Sequence, residues 1–171
     1  MFNRVYSFLE EHKCIYLLQF GFRQKHSVNH ALIQITENIR KALDEKKFAC
    51  GVFIDLQKAF DTVNHHILTA KLEHYGIRGV ANNWFKSYLS GRTQYVSIQG
   101  YDSDDKAVLH GVPQGSVLGP LLFLIYINDL HKAIKNSSVY HFADDTNLLN
   151  INTSPKKLQN DINYDLKCLY K

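Results

Sequence analysis

At 171 residues, 45% hydrophobic and 21% charged, the chain has the size of about one domain and enough apolar residues to bury a core. Its net charge of +4, from 20 Lys and Arg against 16 Asp and Glu, permits a nucleic-acid partner without demanding one. Three scattered cysteines without a C-x-x-C argue against a disulfide framework or a zinc site, and the most apolar run, 121 to 127, is too short to cross a bilayer, which takes about 20 residues.

No signal peptide, repeat or low-complexity tract is visible, so a soluble intracellular protein is expected. Phe2, Val5, Tyr6 and Leu9 share one face of a helix over the first dozen residues. A clearer helix spans about 27 to 47. Val28, Ala31, Leu32, Ile35, Ile39, Ala42 and Leu43 form its apolar stripe, and Ser27 is its N-cap. Residues 48 to 55 are a continuous apolar run that ends in Asp55, which predicts a buried strand. A helix over 65 to 75 is closed by Gly76. His65 and His66 at its start read as polar surface or helix-terminus residues. Val80, Trp84, Phe85, Tyr88 and Leu89 mark the next helix, stopped by Gly91. Residues 93 to 99 alternate as a strand, 100 to 105 turn, and 106 to 109 return. After Gly119-Pro120 the chain is apolar nearly all round to Leu130, a buried helix. Residues 139 to 142 and 147 to 151 are two short strands, and Leu158, Ile162, Leu166 and Leu169 open a last helix. Helices and strands mix without a βαβ rhythm, so the expected class is α+β, an antiparallel sheet backed by helices.

Carboxylates punctuate this pattern. Asp55 closes one strand, and Asp144 and Asp145 sit where a tight hairpin turns. An Asp-Asp pair is common at ordinary turns. If the strands are neighbours, however, three carboxylates meet at one sheet edge, a costly arrangement without a cation. Hard divalent ions take such ligands together with substrate phosphates, and a pair of them serves in-line displacement at phosphorus. The stretch 111 to 120, GVPQGSVLGP, is a glycine-rich loop whose backbone can approach a ligand closely, and it lacks any phosphate-loop or dinucleotide signature.

Four blocks in this order carry a resemblance: GFRQKHS from Gly21, DLQKAFDTVNH from Asp55, GVPQGSVLGPLLFLIYINDL from Gly111, and FADDT from Phe142. Together they resemble the reverse transcriptases of non-LTR (LINE-like) retrotransposons. The resemblance implies a right-hand polymerase palm with part of the fingers. Residues 1–26 would form a fingers or palm-supporting segment, 27–62 the palm with the first metal aspartate, 63–110 a fingers-like insertion, and 111–171 the palm with loop and hairpin. It implies Asp55, Asp144 and Asp145 as catalytic metal ligands, with the backbone carbonyl of Leu56. Phe142 and Ala143 would support the hairpin. Phe60 with Ala59, and Gln114 with Gly115, would bind the nucleotide, the Phe60 ring disfavouring a 2′-hydroxyl. The implied cofactor is Mg²⁺, two ions, with Mn²⁺ as substitute. RNA template, DNA primer and dNTP are the implied partners, in the nucleus or cytoplasm and away from membranes.

Departures from the family pattern accompany it. Gln24-Lys25-His26 stands where Pro-Gly is frequent. An upstream Arg-Pro-Ile-like stretch, the thumb and the endonuclease are expected to lie outside these residues, so weak or no activity is expected of the chain alone. A non-catalytic retroelement remnant that binds nucleic acid is the alternative. Another palm-type nucleotidyl transferase, such as a cyclase, fits the acids but leaves the Pro-Gln-Gly loop and Phe60 without a role.

Overall fold

The structure, a computed structural model, describes residues 1–170. In chain order its elements are α1 (Phe2–Glu11), α2 (Val28–Asp44), β1 (Phe48–Ile54), α3 (His65–His74), α4 (Gly79–Leu89), β2 (Thr93–Gln94), β3 (Ser97–Ile98), β4 (Tyr101–Asp102), β5 (Lys106–Ala107), α5 (Gly119–Ile127), a 3-10 turn (Leu130–Ala133), β6 (Ser138–Phe142), β7 (Asp145–Asn152) and α6 (Pro155–Leu169). The class is α+β with small antiparallel sheets, as the sequence predicts. No described helix is long and apolar enough to cross a membrane. All three cysteines are free thiols.

The chain divides into two compact units, each built from two separate stretches. One comprises Met1–Cys14 and Lys58–Tyr126. Its helix α1 buries Val5, Tyr6 and Leu9, the face expected from their spacing. Helices α3 and α4 pack on each other through Leu68, Leu72, Phe85 and Leu89, all fully buried. The Asn82 side chain is buried with them and donates to the Thr69 carbonyl at 3.1 Å. Helix α5 buries Leu121, Leu122, Phe123, Leu124 and Ile125 in succession, so it has no polar face, matching its all-round apolar sequence. The stretch from 93 to 109 departs from expectation. Instead of one long strand and its return, it forms two two-stranded ribbons, β2 with β5 and β3 with β4. The positive φ of Gln99 and Gly100 folds β3 back on β4 before the longer return completes.

The second unit comprises Ile15–Gln57 and Ile127–Lys171. Its three-stranded antiparallel sheet has the order β1-β7-β6. Successive residues of a strand face opposite ways. Tyr140 and Leu149 therefore pack on one face with Ala31, Ile35 and Ile39 of α2. Val139 and Leu148 pack on the other with Ile134, Leu166 and Leu169. Ser27 caps α2 by accepting the His30 N–H, as its position predicts. The helix stops at Asp44 rather than near 47. Lys46 N–H bonds Leu43 O at 2.9 Å and Lys47 N–H bonds Ala42 O at 2.8 Å, with Lys46 at φ +55, a Schellman ending with lysine where glycine is usual.

Two predicted burials are corrected. Val28, Leu32 and Leu43 of the α2 stripe are exposed, because the three-stranded sheet is narrower than the stripe. Strand β1 is only half covered: Phe53 is 78% exposed. It lies on the edge strand, on the face where Ala49 packs against the α2 cluster, but Phe53 itself opens onto a groove rather than onto that cluster.

Candidate active site

Strands β1 and β7 pair with Ile54 opposite Thr146, and β6 and β7 with Phe142 opposite Asp145. Continuing the first register by one residue sets Asp55 beside Asp145. Both line a groove of about 470 Å³ with Phe142, Asn147, Phe53 and residues of α2. Its size is that of a small-molecule site. The two aspartates of the sequence motif do not share the turn, as the sequence suggests. Asp145 is the first residue of β7, and the two-residue turn is Ala143-Asp144. Ala143 has φ +58 whereas Asp144 is not in the positive-φ region, the pattern of a II′-type hairpin. That first position favours glycine, so an alanine there is strained and must be held by its surroundings.

Asp145 is exposed and Asp144 half-buried. Among the described residues, the carboxylates of Asp55, Asp144 and Asp145 have no ion-pair or hydrogen-bond partner. The structure brings Asp55 and Asp145 to one groove, with Asp144 next to it in the chain. No three His, Cys, Asp or Glu side chains among the described residues are clustered as a metal centre. The donor set nonetheless suits a hard divalent cation: unpaired carboxylate oxygens, a groove open beside them, and no lysine or arginine neutralising them.

Beneath the turn, the chemistry is neutral. His141 is 1% exposed and its Nδ1 is 3.0 Å from Thr146 Oγ1. Burial, followed by the nearby His131, pushes its pKa down to about 4. Its Nε2 has no hydrogen-bond partner among the described residues. Tyr16 stacks on His131 with ring centroids 3.9 Å apart and donates its hydroxyl to Val139 O at 3.1 Å.

The other motifs meet within the first unit. The backbone N–H of Val112 bonds Phe60 O at 2.9 Å, and that of Gly111 bonds Val63 O at 2.8 Å. A Cβ on Gly111 would lie 2.9 Å from Asp61 Cα, and its φ of +89 also demands glycine. His65 donates from Nε2 to the Gly111 carbonyl at 2.6 Å. Gln114 donates from Nε2 to Asp61 Oδ1 at 2.6 Å. Ser116 Oγ donates to Pro113 O at 2.7 Å and accepts the Gly119 N–H at 3.0 Å, tying the loop to the start of α5. Phe60 stacks on Phe123, centroids 4.4 Å apart, and Ala59 is buried beside it in the chain. Gly115, at φ +76, faces open space. Asp61, which the sequence analysis gives no role, and His65, read there as polar surface or a helix terminus, are therefore the braces of the Pro-Gln-Gly loop. Their one sequence signal is position inside the same block as Phe60.

The chain is thus α+β, with an acid-bearing hairpin in one unit and a braced Pro-Gln-Gly loop in the other. Residues 1–169 match the reverse transcriptase (RNA-dependent DNA polymerase) family, and the chain belongs to that family of enzymes. Over 148 residues it is 37% identical to a probable RNA-directed DNA polymerase from transposon BS of Drosophila melanogaster, a match covering 83% of this chain and 15% of the relative. To the RNA-directed DNA polymerase from mobile element jockey of the same species it is 35% identical over 154 residues, covering 86% and 17%. To the probable RNA-directed DNA polymerase from transposon X-element it is 36% identical over 137 residues, covering 74% and 14%. The chain thus spans about a sixth of the length of these relatives.

Proposed function

We propose that this chain carries the palm and part of the fingers of an RNA-directed DNA polymerase, joining a dNTP to a primer 3′-hydroxyl on an RNA template with release of pyrophosphate. The observation that carries the reading is the β1–β7 register, which aligns Asp55 with Asp145 at one groove. In this reading Asp55, Asp145 and Asp144, with the Leu56 carbonyl, hold Mg²⁺, with Mn²⁺ as substitute. Two such ions supply charge neutralisation at the α-phosphate and lower the pKa of the attacking hydroxyl.

The protein's own residues do the positioning. Phe142 and Ala143 carry the turn. Phe60, backed by Phe123 and following Ala59, presents a ring to the nucleotide sugar and excludes a 2′-hydroxyl. Gln114 and Gly115 lie at the tip of a loop braced at its base, so its backbone can face a nucleotide without large reordering.

Metal binding tests the reading on this chain directly. Mn²⁺ titration followed by electron paramagnetic resonance is expected to show binding weakened at least tenfold by Asp55→Asn and by Asp145→Asn. Binding indifferent to both changes sinks the metal assignment. In a complete polymerase of this sequence, Asp144→Asn is expected to lower primer extension on RNA by about a hundredfold or more, the scale of losing one preorganised charge-stabilising group. Undiminished extension would instead leave a nucleic-acid-binding role.

A further inference from the structure

The strained turn at Ala143 is held from a distant part of the sequence. Gln19 is 2% exposed, and both its amide oxygen and its amide nitrogen are engaged. Oε1 accepts the backbone N–H of Ala143 at 3.1 Å and that of Gly21 at 2.9 Å. Nε2 donates to the Ala143 carbonyl at 3.4 Å. One buried glutamine thus meets both backbone groups of the one residue in the turn whose φ is positive.

The flanking backbone makes this contact rigid. His141 N–H bonds Leu18 O at 2.9 Å, and Phe20 N–H bonds His141 O at 2.8 Å. Gln19 and His141 form a parallel bridge between these two bonds. Gly21 presses still closer: a Cβ there would stand 2.1 Å from Ala143 N and 2.9 Å from its Cα. Arg23 locks the far side by donating to the carbonyls of Tyr16 and Gln19, each at 3.2 Å. A buried amide is tolerated only when satisfied, and a satisfied one adds direction that an apolar side chain cannot.

We infer that Gln19 is a positioning residue for the reaction proposed above: by gripping Ala143 at both backbone groups, it fixes the direction in which Asp144 and Asp145 project. The inference rests on the metal role of those carboxylates. Gln19 touches no substrate and acts only through the turn.

The test uses the 171-residue chain with Gln19→Met, which keeps the side-chain volume and removes all three side-chain hydrogen bonds. Gln19→Glu keeps the two accepted N–H bonds and removes the donor. Two readouts are taken well below the melting temperature: the Mn²⁺ dissociation constant, and amide hydrogen exchange resolved by residue. In Gln19→Met, Mn²⁺ binding is expected to weaken at least tenfold. Exchange at Ala143 is expected to accelerate at least tenfold, with Leu148 and Leu149 unchanged. Gln19→Glu is expected to fall between Gln19→Met and the unaltered chain in both. A lowered melting temperature with both readouts within twofold of the unaltered chain overturns the proposal, since a merely structural glutamine predicts that pattern. If Asp55→Asn shows that Mn²⁺ does not bind at this groove, the metal reading fails by itself. Exchange at Ala143 then decides the grip: acceleration supports it and no change overturns it. Should Gln19→Met not fold, the same readouts on Gln19→Glu decide between these outcomes.

Discussion

Gln114 and Asp61, 53 residues apart in sequence, are joined side chain to side chain at 2.6 Å. Asp61 follows Phe60, and Gln114 occupies the loop proposed to meet nucleotide or template, so the two motifs are physically coupled at this bond. Both side chains are exposed, which keeps the bond's stability contribution below about 1 kcal/mol. Asp61→Ala, which removes the acceptor oxygens, is therefore expected to leave the melting temperature within a few degrees. It is expected to abolish the distinct, downfield side-chain amide signal of Gln114 in NMR spectra. An unchanged Gln114 signal would show that the bond does not persist in solution.

Phe60 is supported from behind by Phe123. Because Phe60 is half-buried, Phe60→Ala is expected to cost about 1–3 kcal/mol in denaturant titration, less than a fully buried phenylalanine. In a complete polymerase of this sequence, the same change is expected to raise ribonucleotide incorporation relative to deoxynucleotide by about tenfold or more. Equal discrimination before and after would remove Phe60 from the sugar-sensing role.

His141 gives the fold a pH dependence. Its folded pKa, about 4, lies below the ordinary 6.5, so the unfolded chain takes up a proton first as pH falls. The neutral ring's contribution is thus intact above pH 6.5 and is lost progressively between 6.5 and about 4, on the order of 3 kcal/mol across the window. Melting temperatures from pH 7.5 to 4.5 should fall more steeply in the unaltered chain than in His141→Gln. Parallel slopes would assign the acid sensitivity elsewhere.

Asp165 has the opposite task. It is fully buried, and it accepts the backbone N–H groups of Lys135 and Asn136, at 3.0 and 3.2 Å, and the Ser137 hydroxyl at 2.7 Å. Burial pushes its pKa up, but these bonds and the Asn136 side chain outweigh it, leaving the carboxyl below its ordinary value. The stabilisation is present above the ordinary aspartate range, near 3.8, and is lost as pH falls below it. Asp165→Ala is expected to destabilise by about 2–4 kcal/mol, since it orphans several donors at the entrance to β6. A loss under 1 kcal/mol would contradict that account.

The helices were legible because periodicity is local: Val5, Tyr6 and Leu9 lie on one turn-spaced face, and Ser27 caps where a serine should. The acid-bearing hairpin was legible for the same reason, being nearly contiguous. Its fine structure was not, because Ala143 rather than Asp144 takes the positive φ, and side-chain identity alone favours aspartate there. Strand β1 misled because an apolar run reports which residues favour a sheet, not how far along an edge strand the covering helices reach. Gln19, Asp61 and His65 escaped notice because their partners, Ala143, Gln114 and Gly111, are 124, 53 and 46 positions away.

The two margins of the sheet are not alike. The outer side of β6 is occupied by the backbone of Leu18 to Phe20, whereas no described strand pairs with the outer side of β1. That margin reads FACGVFI, with no proline and no charge inside it, and Phe48 and Phe53 are exposed along it. Lys46, Lys47 and Asp55 flank it in sequence. Such an edge is a template for another chain's backbone. Handled as an isolated 171-residue polypeptide at high concentration, the protein is therefore prone to add copies of itself along β1, and solubility will depend on keeping that margin shielded or on placing a lysine at Phe53.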